Sequence, residues 1–184
     1  TRFGNLGNIL DFENLTKDNI YVLESPILSN SQFEKFTVFF KDNLKVLDCT
    51  FDVQNDLKKR LDQLCSEAEI AVREGCKHII LSDKKISNKK AAIPMILAFG
   101  AINSKLVNLG IRGFVSINVQ TGEVLDTHSF AVLLGVGATT INPYLAFDSI
   151  YQRYEKKLFG EFSYEECIKR YIKSVDNGLL KIMS

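Results

Sequence analysis

From Lys45 onward the chain alternates short runs of β-branched and aromatic residues with longer runs whose apolar positions recur every three or four residues. The short runs, at 46–51, 79–82, 114–119 and 139–142, read as strands. Between the first two, Leu57, Leu61, Leu64, Cys65, Ala68 and Val72 share one helical face, Lys58, Lys59, Arg60 and Glu69 point away, and Gly75 supplies a left-handed stop. The next helix opens at Pro94, carries Met95, Ile96, Ala98, Phe99, Ile102, Leu106 and Leu109, and ends at Gly110, so it is expected to be largely buried. A third runs from about Asp126 through Phe130, Leu133 and Leu134 to Gly135 and Gly137. A fourth opens at Pro143 and carries Leu145, Ile150 and Tyr154 before Gly160.

The flanks differ. Residues 1–30 hold turn formers, among them Gly4, Gly7, Asn8 and the pair Ser25-Pro26, and read as an arm. Ser31 with Glu34 makes a capping box for a short helix over 32–41, with Phe33, Phe36 and Phe40 on one face. Ser163 with Glu166 makes a second, opening a helix faced by Tyr164, Cys167, Ile168, Tyr171, Ile172 and Val175 that Asn177-Gly178 is expected to end or bend. The apolar tail beyond it, 179–183, suggests a surface whose cover has been cut away. The expected organisation is an arm with a short helix over 1–45, a central βα domain over 46–160, and a C-terminal helix and linker over 161–184.

Strands alternating with helices imply an α/β fold with a parallel sheet and right-handed crossovers. Strand starts fall about 33, 35 and 25 residues apart, near the roughly 31 of an eight-unit barrel of ~250 residues. Four units are too few to close a barrel. A partial TIM-like (βα)4 half-barrel and a small open doubly wound sheet both satisfy the pattern.

Composition narrows the class. Of 184 residues 46% are apolar and 24% charged, with 13 Phe and a formal net charge of +1, which supports a substantial core and argues against nucleic-acid binding. Four cysteines without a C-x-x-C pair, and only two histidines, suggest reduced thiols in a cytoplasmic protein and no metal site. No secretory signal is visible, and the longest nearly apolar run, 91–102, is too short to span a bilayer and contains Pro94, so no membrane anchor is expected.

Ligands of α/β sheets gather beyond the carboxyl ends of the strands, so the strand-to-helix joints are the informative segments. The first joint, 52–56, is polar without further signal. The second places Lys84, Lys85, Lys89 and Lys90 before a helix, a setting for an anion or a docking surface, although no glycine-rich cradle accompanies them. The third brings Thr121, Gly122, Glu123, Asp126 and His128 to a strand end, which serves a phosphate site, an acid–base pair, or loop hydrogen bonds and helix-end complementation. The fourth, Asn142-Pro143-Tyr144, passes directly into its helix. No phosphate loop, dinucleotide fingerprint, nucleophile elbow or spaced metal cluster occurs, and no complete catalytic constellation can be assembled.

The segments LESPILSNSQF (23–33), IILSDKK (79–85), AAIPMILAFGAI (91–102), VSINVQTGEVLDTHSFAVLLGVGATTINPYLAFDSI (115–150) and GLLKIMS (178–184) together resemble the central domain of the glutamate synthase large subunit. The family commonly carries a further histidine beside the position of His128, where this chain has Ser129. The resemblance implies a parent enzyme with a glutaminase domain, this central domain, an FMN-binding synthase barrel with an iron–sulfur cluster, and a β-helical domain. Ammonia released from glutamine would pass through an internal tunnel to 2-oxoglutarate, giving an imine that reduced FMN converts to glutamate. It favours the half-barrel and implies a non-catalytic scaffold holding neither cofactor, partnered by the glutaminase and synthase domains and, in the parent, a small subunit. Thr121, Glu123, His128, Asn142 and Tyr144 are then the candidate interface and tunnel residues. The alternatives are a stand-alone phosphate- or FMN-binding domain and a self-associating module.

Overall fold

The computed structural model describes residues 2–3 and 21–184; the turn formers Gly4, Gly7 and Asn8 lie outside them. Strands β1 (Arg2–Phe3) and β2 (Tyr21–Val22) form a small antiparallel pair. They precede α1 (Asn30–Phe39), β3 (Leu44–Asp48), β4 (Thr50–Asp52), α2 (Leu57–Arg73), β5 (His78–Ser82) and β6 (Lys90–Ala92). Then come α3 (Met95–Asn108), β7 (Ser116–Gln120), α4 (Thr127–Gly135), β8 (Ile141–Asn142), α5 (Tyr144–Glu155) and α6 (Tyr164–Met183).

The central sheet is parallel throughout, in the order β3-β5-β7-β8. Each strand lies beside its predecessor, the progression of a barrel wall, so right-handed crossovers place successive helices on one face. Ile79, Leu81, Ile117, Val119 and Ile141 point to that face and share a core with Leu64 and Ala68 of α2, Phe99 and Ile102 of α3, and Phe130 of α4. This is a partial α/β half-barrel.

The arm adds a fourth, very short parallel contact: Ile27 bridges Ile141, with Ile141 N–H donating to the Pro26 carbonyl and Leu28 N–H to that of Ile141. From there the chain must return to the far edge of the sheet, at β3. A right-handed return runs over the opposite face, and α1 accordingly packs Phe33, Phe36 and Phe40 against Ile80 in a second core.

Several expected boundaries shift for identifiable reasons. The helix box is Ser29 with Gln32, not Ser31 with Glu34: Gln32 N–H donates to Ser29 Oγ, and the Gln32 amide oxygen accepts from Ser29 N–H. Pairing of 26–28 holds the chain extended until Ser29, so Ser31 is already helical. The run 46–51 is split at Cys49, where the Asp48 carboxylate accepts from Thr50 N–H and hydroxyl, turning the chain so that β4 leaves the main sheet and pairs antiparallel with β6. Phe114 is in a 3-10 turn and exposed, and β7 starts only at Ser116.

Helix α3 buries one face rather than most of its surface, since Ile96, Leu97 and Val107 are 40–54% exposed. Gly75 and Gly110 end their helices at positive φ (+93° and +70°), as left-handed stops require. Gly178, by contrast, does not end α6, which runs through it to Met183. A Cβ there would lie 2.6 Å from Thr127 Cγ2 and 2.7 Å from its hydroxyl, so this glycine lets α6 approach the first turn of α4. Leu180, Ile182 and Met183 of the last turn are exposed.

Candidate functional site: the closed strand ends

At the end of β5, the sequence Ile79-Ile80-Leu81-Ser82 drives the strand fully into the core and delivers Asp83 to a position with no solvent exposure. A buried carboxylate needs several donors. It accepts from the Thr121 hydroxyl (2.6 Å) and from Gly122 N–H (3.0 and 3.2 Å), both in the joint after β7. Thr121 Oγ1 in turn accepts from Glu123 N–H (3.2 Å). The Tyr144 phenol, on the first turn of α5, lies near this carboxylate; burial first, then the Asp83 charge, push it up to about 12. Lys84 sits 5.8 Å from the Tyr144 ring centre. Gly122 is needed for closeness: an added Cβ would meet the Tyr144 hydroxyl at 3.2 Å and Leu145 at 3.3 Å.

Glu123 faces the neighbouring helix. Its carboxylate accepts from Met95 N–H (2.9 Å), supplying from a distant loop the cap that Pro94 cannot give to α3. Asn142 belongs to the α1 face of the sheet, where its side chain donates to the Leu28 carbonyl (2.9 Å) and Asn30 Oδ1 (3.0 Å) and accepts from Gln120 (3.3 Å). Ser82 completes that row by donating to Gln120 (2.7 Å). A parallel row one step down the sheet joins His78 to Ser116 and Asn118 to Ser116 and Thr140. Among the described residues, no buried side-chain nitrogen or oxygen lacks a hydrogen-bond partner.

His128 is not part of the cluster. It is exposed on the first turn of α4, a helix capped by Asp126, whose carboxylate accepts from the Ser129 N–H and hydroxyl (both 2.8 Å). These Ser129 hydrogen bonds hold the Asp126 carboxyl below its usual range. Of the five residues singled out from sequence, Thr121 and Tyr144 meet at Asp83, Glu123 and Asn142 tie neighbouring elements, and His128 stands apart.

The lysines of the second joint do not all gather at one point, and two of them are taken by a carboxylate. Lys85 and Lys90 approach the Asp48 carboxylate at 3.7 and 3.9 Å, and β6 fixes Lys90 in a two-stranded ribbon. Beside the first joint a cleft of about 530 Å3 is lined by Asp48, Asp52, Arg60 and Lys90. Its guanidinium is already engaged, donating to the Asp48 carbonyl (2.7 Å) and to Glu67 (2.6 Å).

The residue that sequence reasoning undervalued is Asp83. Its signal was an acidic residue directly after an otherwise apolar strand, which a loop rich in lysine disguised as surface.

The family model described as glutamate synthase central domain matches residues 1–184. The chain belongs to the glutamate synthase central domain family. It is 46% identical over its full length to the large chain of glutamate synthase [NADPH] from Azospirillum brasilense, and 38% identical over 88% of its length to that from Bacillus subtilis. It is 35% identical over 98% of its length to the chloroplastic ferredoxin-dependent glutamate synthase of Spinacia oleracea. It spans 11–12% of the length of these relatives. As a glutamate synthase central domain it presents tied strand ends where other parallel α/β folds open a ligand crevice. Among the described residues no helix is long and apolar enough to cross a membrane.

Proposed function

We propose that this domain is a non-catalytic scaffold within a glutamate synthase large chain, with an arm over 1–45, a βα body over 46–160 and a helical linker over 161–184. In that reading the parent enzyme converts glutamine and 2-oxoglutarate reductively to two glutamates, with FMN and an iron–sulfur cluster carried by the synthase domain. The central domain holds the glutaminase and synthase domains in register and lends wall to the ammonia passage at the joints that Thr121, Glu123, Asn142 and Tyr144 hold in place, with exposed His128 toward a neighbour. Water must be excluded there, because ammonia that reaches bulk solvent at neutral pH is protonated and ceases to be a nucleophile.

The observation that carries the reading is that polar groups at the strand ends are engaged within the domain: Asp83 is taken by Thr121 and Gly122, and Glu123 by Met95 N–H. A site built to bind phosphate or flavin would instead leave donors aimed outward. The test is titration of the purified chain with FMN, read by flavin fluorescence, with 2-oxoglutarate and inorganic phosphate as competitors. The scaffold reading predicts no saturable quenching. Micromolar saturable binding abolished by replacing Lys84, Lys85, Lys89 and Lys90 with alanine would replace it with a ligand-binding domain.

A further inference from the structure

The carboxyl end of the sheet combines two features that a free surface does not need. Each strand-to-helix joint there exposes a large aliphatic side chain: Val53 after β4, Ile86 after β5, Leu125 after β7, and Leu145 on the first turn of α5, with Leu97 on the first turn of α3. Their exposures run from 41% at Leu97 to 60% at Val53. Leu145 touches the Gly122 position and Lys84 lies over Tyr144, which sets both beside the tied Asp83 cluster. The Asp83 carboxylate is buried and that of Glu123, although exposed, is engaged by Met95 N–H, whereas among the described residues no carboxylate lies within ion-pairing distance of Lys84 or Lys89.

We infer that this end of the sheet is a docking face, covered by another domain of the same large chain that presents an apolar centre and carboxylates opposite Lys84 and Lys89. The inference rests on the scaffold reading and assigns it a surface. The choice of occupant follows from length and charge. The matched large chains are about eight times longer than this domain, so most of the polypeptide lies outside it and covers it at no concentration cost. Lys84 and Lys89, without a carboxylate partner among the described residues and set beside Ile86 and Val53, select a partner with acidic groups.

The test is acylation of the intact large chain with an acetyl N-hydroxysuccinimide ester, with each lysine followed by mass spectrometry. Lys84 and Lys89 are expected to react roughly tenfold more slowly than Lys58, which is exposed on the outer face of α2, because an interface core excludes water and reagent. In the Leu125→Asp/Leu145→Asp variant their rates should rise toward that of Lys58, while Leu158→Asp, at another exposed position, should change nothing. Reaction of Lys84 and Lys89 as fast as Lys58 in the unaltered chain overturns the proposal without needing any variant. Protection that fades on dilution would mean a second copy is the occupant, and protection that disappears on removing FMN would mean a ligand; either overturns it. The flavin titration on the domain judges the scaffold reading separately.

Discussion

Removal of the Asp83 carboxylate tests whether the strand ends are held by this one acceptor. In Asp83→Ala, the Thr121 hydroxyl, whose residue is wholly buried, loses a 2.6 Å acceptor and Gly122 N–H loses one at 3.0 Å. Each buried donor left unpaired costs about 1–3 kcal/mol, and the two share one network, so the whole change should cost about 3–5 kcal/mol rather than a simple sum. Against a typical total stability of about 5–15 kcal/mol this is large, and it should lower Tm by roughly 6–20 °C for a chain of this size. Asp83→Asn keeps the shape and one acceptor for Gly122 N–H, and should cost only about 1–2 kcal/mol. Urea unfolding followed by circular dichroism gives both values. In the Asp83→Ala background Thr121→Val should add little, because the hydroxyl it removes has already lost its partner. A loss below about 1 kcal/mol for Asp83→Ala would refute the assignment of Asp83 as the tie between the second and third joints.

Further predictions concern the rest of the frame. Gly178→Ala should destabilise by about 1–2 kcal/mol, because overpacking against Thr127 outweighs the gain in helix propensity; in a Thr127→Ala background the same change should turn neutral or stabilising, measured as a double-mutant cycle. Arg112 donates to Asn103 (2.7 Å) and to the Val115 and Gly137 carbonyls (2.6 and 3.1 Å), so Arg112→Lys, which cannot span all three, should cost about 1–3 kcal/mol in the same unfolding assay. Burial lowers the His78 imidazole to about 4, so between that value and its ordinary 6.5 the unfolded chain binds more protons than the folded one. Stability should therefore hold above about pH 7 and fall as pH drops toward 4, and His78→Gln should remove part of that slope in unfolding curves taken from pH 7.5 to 5.

The alternation of strands and helices was legible because a fully buried parallel strand such as 79–82 and an amphipathic helix such as α2 write different periods into the chain. The handed crossover rule then supplied the sheet without further information. What escaped depends on contacts distant in sequence. The pairing of Ile27 with Ile141 joins segments more than a hundred residues apart, and nothing local in Pro26-Ile27-Leu28 announces it. Gly178 carries the ordinary mark of a helix stop, yet its cause is Thr127 on another helix. At these strand-to-helix joints the hydrogen bonds gather around Asp83, which the sequence did not single out. Thr121, Glu123, Asn142 and Tyr144 all make tertiary hydrogen bonds or contacts, but Asp83, which gathers two of them, resembled one more charge in a lysine-rich loop. His128, expected at the same joint, stands on the first turn of α4, where it is exposed.

The scaffold claim bears most directly on coupling between two distant reactions, so the deciding measurement is made on the intact large chain. Glutamine hydrolysed and 2-oxoglutarate consumed are followed together in the unaltered chain and in Gly122→Val, whose side chain would crowd the Tyr144 hydroxyl and Leu145 of α5. The account predicts that the unaltered chain consumes the two in equal amounts. The variant should hydrolyse glutamine in excess and release ammonia, while glutamine hydrolysis alone and synthesis from added ammonium both persist. Equal consumption in a folded Gly122→Val chain, or loss of either half-reaction by itself, would contradict a domain that serves by holding the two sites in register.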